Sequence, residues 1–307
     1  MTRVRAGADR QAGEGGFALL IAIGFLLAVT TMVAPFVLAA RSALDATAAT
    51  LRSDRFELVA EGLVTAVARG VAAMPDDERS AFAAALRSGP AGCRAGGLAV
   101  ELRLQDQRGL VDLNAAGEPL LEAGLRAVGL DPAAAAVHAA AIAAHRSSDS
   151  GSDHPFPPLA GALARDGLKG APIEAVEELH DFAALAEVPP ATLLRTFTIH
   201  SRQPQIVGPM MPDALATHVP RRPGPGFPFV LGEAGGVGIY RIDVAIRAPD
   251  GTVGYAGQVV AVSGGGLTIL EGAASPHLLA AGRAEPVRAA SCGQLFGPAA
   301  LLLQDLA

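Results

Sequence analysis

The chain has 307 residues, enough for one large or two small domains, and its 24 Lys and Arg against 30 Asp and Glu give a formal net charge of -6. That balance leaves no basic surplus to neutralise a phosphate backbone, which excludes nucleic acid as the expected partner. Half of the residues are hydrophobic, but alanine and glycine carry much of that share, and after one N-terminal run no stretch is apolar enough for another membrane span, which excludes a multi-pass membrane protein.

Residues 1–16 form a short polar segment with Arg3, Arg5 and Arg10 against only Asp9 and Glu14. From Phe17 to Ala40 no residue is charged, and as a helix rising ~1.5 Å per residue this run crosses the ~30 Å hydrocarbon core of a bilayer. Basic residues ahead of an apolar run stay in the cytoplasm, so the chain beyond Ala40 is expected outside it. A secretory signal peptide has a shorter apolar core and small residues at a cleavage site after it. Here the small residues, Gly15 and Gly16, come first.

The segment Gly16-Phe17-Ala18-Leu19-Leu20 resembles the cleavage site of the type IV prepilin family. The resemblance implies that a dedicated peptidase cuts after Gly16, that Phe17 becomes the N-methylated first residue, and that the mature chain keeps the apolar helix. A plain signal anchor is the alternative reading of the same residues. Most pilins carry glutamate fifth in the mature chain, where this sequence has Ile21; a carboxylate in lipid is costly and is kept for pairing with a neighbouring subunit's terminal ammonium. Its absence is typical of the minor pseudopilin K of type II secretion, the general secretion pathway protein K family.

Beyond Arg41, Leu44, Leu51, Phe56, Leu58, Val59, Leu63, Val64 and Val67 recur at helical intervals, an amphipathic stem with one face free to lie on a sheet. Pro75 breaks it, and a short helix is expected from Asp76 to Leu86. Two cysteines, Cys93 and Cys292, lie far apart; outside the cytoplasm such a pair can become a disulfide, and sequence leaves thiols and disulfide equally open. Leu98 to Leu104 alternates apolar and polar residues as a half-buried strand does. Asp106 to Gly109 turns into Val111-Asp112-Leu113-Asn114-Ala115-Ala116, a block that resembles protein K; the plain chemistry expected of Asn114 is capping of the next helix start.

From Glu118 to Leu194 the pattern is helical. Leu120, Leu121, Leu125, Val128 and Leu130 make one stripe; after Asp131 and Pro132, a cap and first-turn proline, Val137, Ala141 and Ile142 continue another. A polar loop comes next, Arg146 to His154. The family resemblance implies calcium in the helical region, and hard cations need several oxygens; Asp149, Ser150 and Asp153 form the candidate cluster, with Asp149 and Asp153 as ligands, although the residues alone read more simply as a solvated turn. Ala171 to Leu179 is expected to be helical, and its Val-Glu-Glu-Leu resembles a protein K segment. Val128-Gly129-Leu130-Asp131 lacks the second glycine of a helix-hairpin-helix DNA module. His138, His145, His154 and His180 lack a ligand spacing and read as packed or exposed side chains. No Ser-His-Asp or paired-carboxylate arrangement supports an enzyme.

Thr196 to Ser201 reads as a strand rejoining the sheet, residues 202–236 as an irregular proline-rich connection with a short helix at Asp213 to Thr217. Gly238 to Arg247 and Val253 to Val262 alternate cleanly around Pro249-Asp250-Gly251, a strong hairpin signal, and Leu267 to Leu270 supplies a third strand. In the tail, Leu301 to Leu303 can dock a short helix.

The expected fold is α+β and pilin-like: a long N-terminal transmembrane and stem helix packed on an antiparallel sheet, with a large all-helical insertion. The expected division is leader 1–16, span 17–40, stem and first strands 41–117, helical insertion 118–194, remaining sheet 195–272 and tail 273–307. The role that the resemblance implies is structural: a minor pseudopilin at the tip of the type II secretion pseudopilus, single-pass in the inner membrane with a periplasmic domain, whose partners are other minor pseudopilins, the prepilin peptidase and the inner-membrane assembly platform. The alternatives are a minor pilin of a type IV pilus or competence system, and a periplasmic binding module on a signal anchor.

Overall fold

The computed structural model describes residues 14–87, 89–147, 167–219, 230–232, 236–272 and 288–306. The chain divides into two units, residues 1–53 and 54–307. In the first, every described residue belongs to α1, which begins at Glu14 and continues unbroken to Ala73 in the second. Its apolar run is exposed from Phe17 to Ala40, and the helix is long and apolar enough to cross a membrane. The hydroxyls within the run donate to their own helix: Thr30 Oγ1 is 2.6 Å from the Leu26 oxygen and Thr31 Oγ1 2.9 Å from that of Ala28. Neither polar group is left stranded in an apolar environment.

In the second unit α1 is amphipathic. Phe56, Ala60, Leu63, Val64, Val67, Ala68 and Val71 are buried at intervals of three and four, the spacing that puts side chains on one helical face. After Pro75, α2 spans Asp76–Ala85 with Asp76, Asp77 and Glu78 in its first turn, where acids suit the helix dipole.

The buried face of α1 lies on a six-stranded sheet built from β1 (Ala91–Ala95), β2 (Leu98–Asp106), β7 (Gly238–Arg247), β8 (Val253–Ser263), β9 (Gly266–Gly272) and β10 (Arg288–Ala289), in the order β10-β1-β2-β7-β8-β9. All pairs are antiparallel except β1 with β10. Period-2 alternation sends Val100, Leu102 and Leu104 of β2 and Tyr240, Ile242, Val244 and Ile246 of β7 into the core shared with α1. The β7–β8 turn closes as its sequence predicts: Gly251 has φ +89°, and the Ala248 amide donates to the Thr252 carbonyl at 2.9 Å. The C-terminal α7 (Cys292–Phe296) and the 3-10 helix Gly297–Asp305 bury Phe296 and Leu303 in the same core.

Strands β2 and β7 are neighbours in the sheet but 131 residues of chain separate their facing ends, Asp106 and Gly238. That intervening chain holds β3 (Val111–Asp112), α3 (Glu118–Ala127), α4 (Pro132–Arg146), α5 (Pro190–Leu194), β4 (Phe197–Thr198), β5 (Ile206–Val207), α6 (Asp213–Ala216) and β6 (Val230–Leu231). It has its own core, from Val111 through Leu121, Ile142 and Phe182 to Val219.

Three expectations are corrected. The helical core reaches past 118–194 on both sides, because β3 and β4 pair in parallel with each other and β5 with β6, apart from the main sheet; Thr196 to Ser201 therefore does not rejoin that sheet. Residues Ala171 to Ala175 are not helical, and the next turn is the 3-10 helix Val176–Asp181. The Ile173 amide is taken by the Asn114 side chain at 2.8 Å, and the Glu174 and Ala175 amides donate to Glu178 Oε1 at 2.7 and 3.1 Å, which ties the segment to side-chain acceptors instead of an α-helical ladder. Asn114 is thus a bridge, with its Nδ2 also donating to the Ile173 carbonyl at 2.8 Å, while the N-cap of α3 is Gly117.

Candidate functional site

The residues of the expected cleavage, Gly16 and Phe17, belong to the first turns of α1, and Phe17 is 68% exposed. Ile21 is 57% exposed on the same helix. An uncovered apolar helix of this length needs lipid or other helices around it to escape water. Asp149 and Asp153, the candidate calcium ligands, lie outside the described residues, and no group of three metal-ligating side chains occurs among those that are described. His138 and His145 pack instead: His138 Nδ1 lies 2.9 Å from the Ala134 oxygen, and His145 meets Phe182 edge-on at 5.3 Å between ring centroids.

Cys93 on β1 and Cys292 at the start of α7 are joined as a disulfide with Cα atoms 5.2 Å apart. Parallel pairing of β10 with β1 brings the C-terminal segment to this edge. The bond therefore ties the helices that bury Phe296 and Leu303 to the first strand of the sheet.

The junction between sheet and inserted chain is polar and buried. Arg108 holds Asp106 through two bonds of 2.9 and 2.6 Å, Nε to Oδ1 and Nη2 to Oδ2, with both side chains almost fully buried. A bidentate pair of this kind fixes geometry as well as charge. Next to it Gly109 sits so close to Met210 that an added Cβ would fall 2.2 Å from the Met210 carbonyl oxygen.

Away from α1, the other face of the sheet carries Arg103 on β2, Arg241 and Asp243 on β7 and Tyr255 on β8, all buried. Arg103 faces Asp243 across the β2–β7 ladder. Arg241 Nε and the Tyr255 hydroxyl both donate to Asp243 Oδ1, at 3.3 and 3.1 Å. Burial pushes the Asp243 carboxyl up, against the pull of Arg241 and Tyr255, and lowers Arg103 to about 10. Asp243 Oδ2 and Arg103 Nε have no hydrogen-bond partner among the described residues, and buried charge that is incompletely paired costs stability. Gln105 Nε2 donates to the Arg195 carbonyl at 3.3 Å, and His200 Nε2 lies 2.8 Å from Glu271 Oε2, so the inserted chain meets β2 and β9 through polar contacts.

Sequence reasoning missed Asp112. Its carboxylate is 1% exposed and accepts four bonds, from the Asn114 and Ala115 amides, the Ser201 hydroxyl and the Arg202 amide. The signal was present in the alternation Val111-Asp112-Leu113-Asn114, whose polar members face partners elsewhere in the inserted chain instead of solvent.

These elements define a pilin-like fold: a long apolar helix whose far part becomes the core of an antiparallel sheet. No family model and no curated protein matches the sequence. Among solved structures the chain is similar to a chain of the GspK-GspI-GspJ complex from the enterotoxigenic Escherichia coli type 2 secretion system, with a TM-score of 0.47 and 10% identity, over 77% of this chain and 99% of that one.

Proposed function

We propose that this protein is a minor pseudopilin placed at the tip of a type II secretion pseudopilus, where it helps to start assembly. The observation that carries the reading is the character of α1: uncovered and uncharged from Phe17 to Ala40, then packed on a sheet from Phe56 onward. The glycine-phenylalanine step at its start supports processing between Gly16 and Phe17 with N-methylation of Phe17, and the arginines before it support a cytoplasmic N-terminus and a periplasmic folded part. Ile21 supports the tip. A subunit with nothing beyond it has no terminal ammonium to meet, and a carboxylate there would stand unpaired in lipid at a cost of up to ~3 kcal/mol. The bulk inserted between β2 and β7 supports a cap, because so wide a subunit fits poorly as a repeat in a thin fibre. Its partners on this reading are other minor pseudopilins, the prepilin peptidase and the assembly platform of the inner membrane.

The test is a strain lacking the gene, with its extracellular and periplasmic proteins compared by mass spectrometry. The reading expects exported proteins to accumulate in the periplasm and to leave it again on complementation. Normal export together with loss of surface pili or of DNA uptake contradicts it and assigns the chain to a type IV pilus or competence system.

A further inference from the structure

On the sheet face turned away from α1 the apolar cover is thin. Beside the core shared with α1 and the separate core of the chain inserted between β2 and β7, the described residues form one further hydrophobic cluster, the pair Ala245 and Tyr255 on this face. The hydrophobic effect has no direction. An apolar seam of this size therefore leaves the inserted chain weakly held against sliding on the sheet.

Polar groups supply the direction. Across the β2–β7 ladder Arg103 faces Asp243 and Gln105 faces Arg241, and the Gln105 side chain reaches the inserted chain at the Arg195 carbonyl. Asp243 is fully buried, and its charge acts on three guanidinium groups, those of Arg241 and Arg103 in the sheet and of Arg195 in the inserted chain. Arg103 and Arg195 repel each other as like charges. Attraction to one buried carboxylate and repulsion from one neighbouring guanidinium together favour a single position for Arg195. The same layer is poorly built for stability. Asp243 Oδ2, Arg103 Nε and Gln105 Oε1 have no hydrogen-bond partner among the described residues, and replacing a buried ionic group as a whole by apolar side chains of similar volume is often neutral or stabilising.

We propose that Asp243 is a positioning residue: its carboxylate seats the inserted chain on the sheet by drawing Arg195 toward the β2–β7 ladder, and the charged layer around it supplies orientation in place of stability. Arg103 limits how closely Arg195 approaches, and Gln105 holds its backbone. The inference concerns the folded unit alone and stands whether or not the chain works in secretion.

The test uses the full chain in detergent micelles with nitroxide labels at Glu187→Cys on the inserted chain and Ser263→Cys on β8, both exposed positions. The native cysteines are joined to each other and take no label. Pulsed electron spin resonance gives the distribution of distances between the labels, and thermal unfolding gives the midpoint. The triple variant Arg103→Met, Arg241→Met, Asp243→Leu should keep its midpoint at or above that of the labelled parent while its distance distribution widens or shifts. Asp243→Leu alone leaves the guanidinium groups without their acid and should lower the midpoint. Asp243→Asn, close in shape but uncharged, should also widen the distribution in a folded chain. A distribution as narrow as the parent's in the triple variant and in Asp243→Asn overturns the proposal. So does a triple variant whose midpoint falls as far as that of Asp243→Leu, since the layer would then be a source of stability, and so does a broad distribution in the parent, which would have no fixed seat.

Discussion

The Asp112 carboxylate and the Arg202 amide, 90 residues apart in sequence, meet at 2.7 Å, and the same oxygen accepts the Ser201 hydroxyl at 3.0 Å. One buried side chain thus joins the two ends of the helical core where β3 and β4 run side by side. Asp112→Ala would leave four donors without their acceptor and should cost about 3–5 kcal/mol. Asp112→Asn keeps one acceptor oxygen and should cost less. Thermal unfolding of the detergent-solubilised chain ranks the two, and equal midpoints for wild type and Asp112→Ala would remove Asp112 from this role.

The helix-to-sheet contact depends on Gly254 of β8. A Cβ built there falls 2.4 Å from the carbonyl carbon of Phe56, so a larger residue must push α1 off the strand. Gly254→Ala should destabilise by about 1–3 kcal/mol, the usual cost of overpacking. Gly272→Ala, with nothing within 4 Å of its added Cβ, is the matched control and should be close to neutral.

Joining residues 199 apart in sequence, the Cys93–Cys292 bond restricts the unfolded chain strongly. Replacing both cysteines with serine should lower the unfolding free energy by about 2–5 kcal/mol and speed amide exchange at β10 and α7 before the rest of the sheet. Unchanged stability with and without reductant would mean that the pair does not form in the purified protein.

Acid should loosen the inserted chain. Burial opposes ionisation of Glu178, but Lys169 and the Glu174 and Ala175 amides hold its carboxyl below the ordinary value near 4.5; the bond to His200 lowers Glu271 in the same direction. Both folded pKa values are lowered, so their contribution is fully present above pH ~4.5 and is lost as pH falls through the folded values. Asp243, pushed up by burial, acts in the opposite sense. Glu178→Gln keeps an acceptor for the two amides but cannot titrate, and should show a shallower loss of thermal midpoint between about pH 5 and pH 3. An identical slope would assign acid sensitivity elsewhere.

Elements with local signals were readable in the sequence. The β7–β8 hairpin follows from alternation around Asp250-Gly251, α4 from Asp131 and Pro132, with Asp131 Oδ1 accepting the Ala133 and Ala134 amides at 3.0 Å, and the buried face of α1 from its spacing of three and four. The elements that escaped reading have non-local causes. β3 is two residues long and exists because Val111 pairs with Phe197 across 86 positions, the same long-range pairing that takes β4, within the strand expected at Thr196 to Ser201, away from the main sheet. β1, Ala-Gly-Cys-Arg-Ala, has no alternation and is a strand because β2 and β10 flank it. The Arg103, Arg241 and Asp243 layer reads as the solvent side of two half-buried strands, and only the chain inserted between β2 and β7 makes it an interior. Cleavage at the Gly16-Phe17 step is proposed from order alone, small residues before the apolar core.

That step is where the account is most exposed. Intact-mass analysis and N-terminal sequencing of the protein extracted from its own membrane should find a mature chain that begins with N-methylated Phe17, and Gly16→Ala should leave a larger unprocessed fraction. A chain that retains Met1, or one cut beyond Ala40, contradicts the pseudopilin reading.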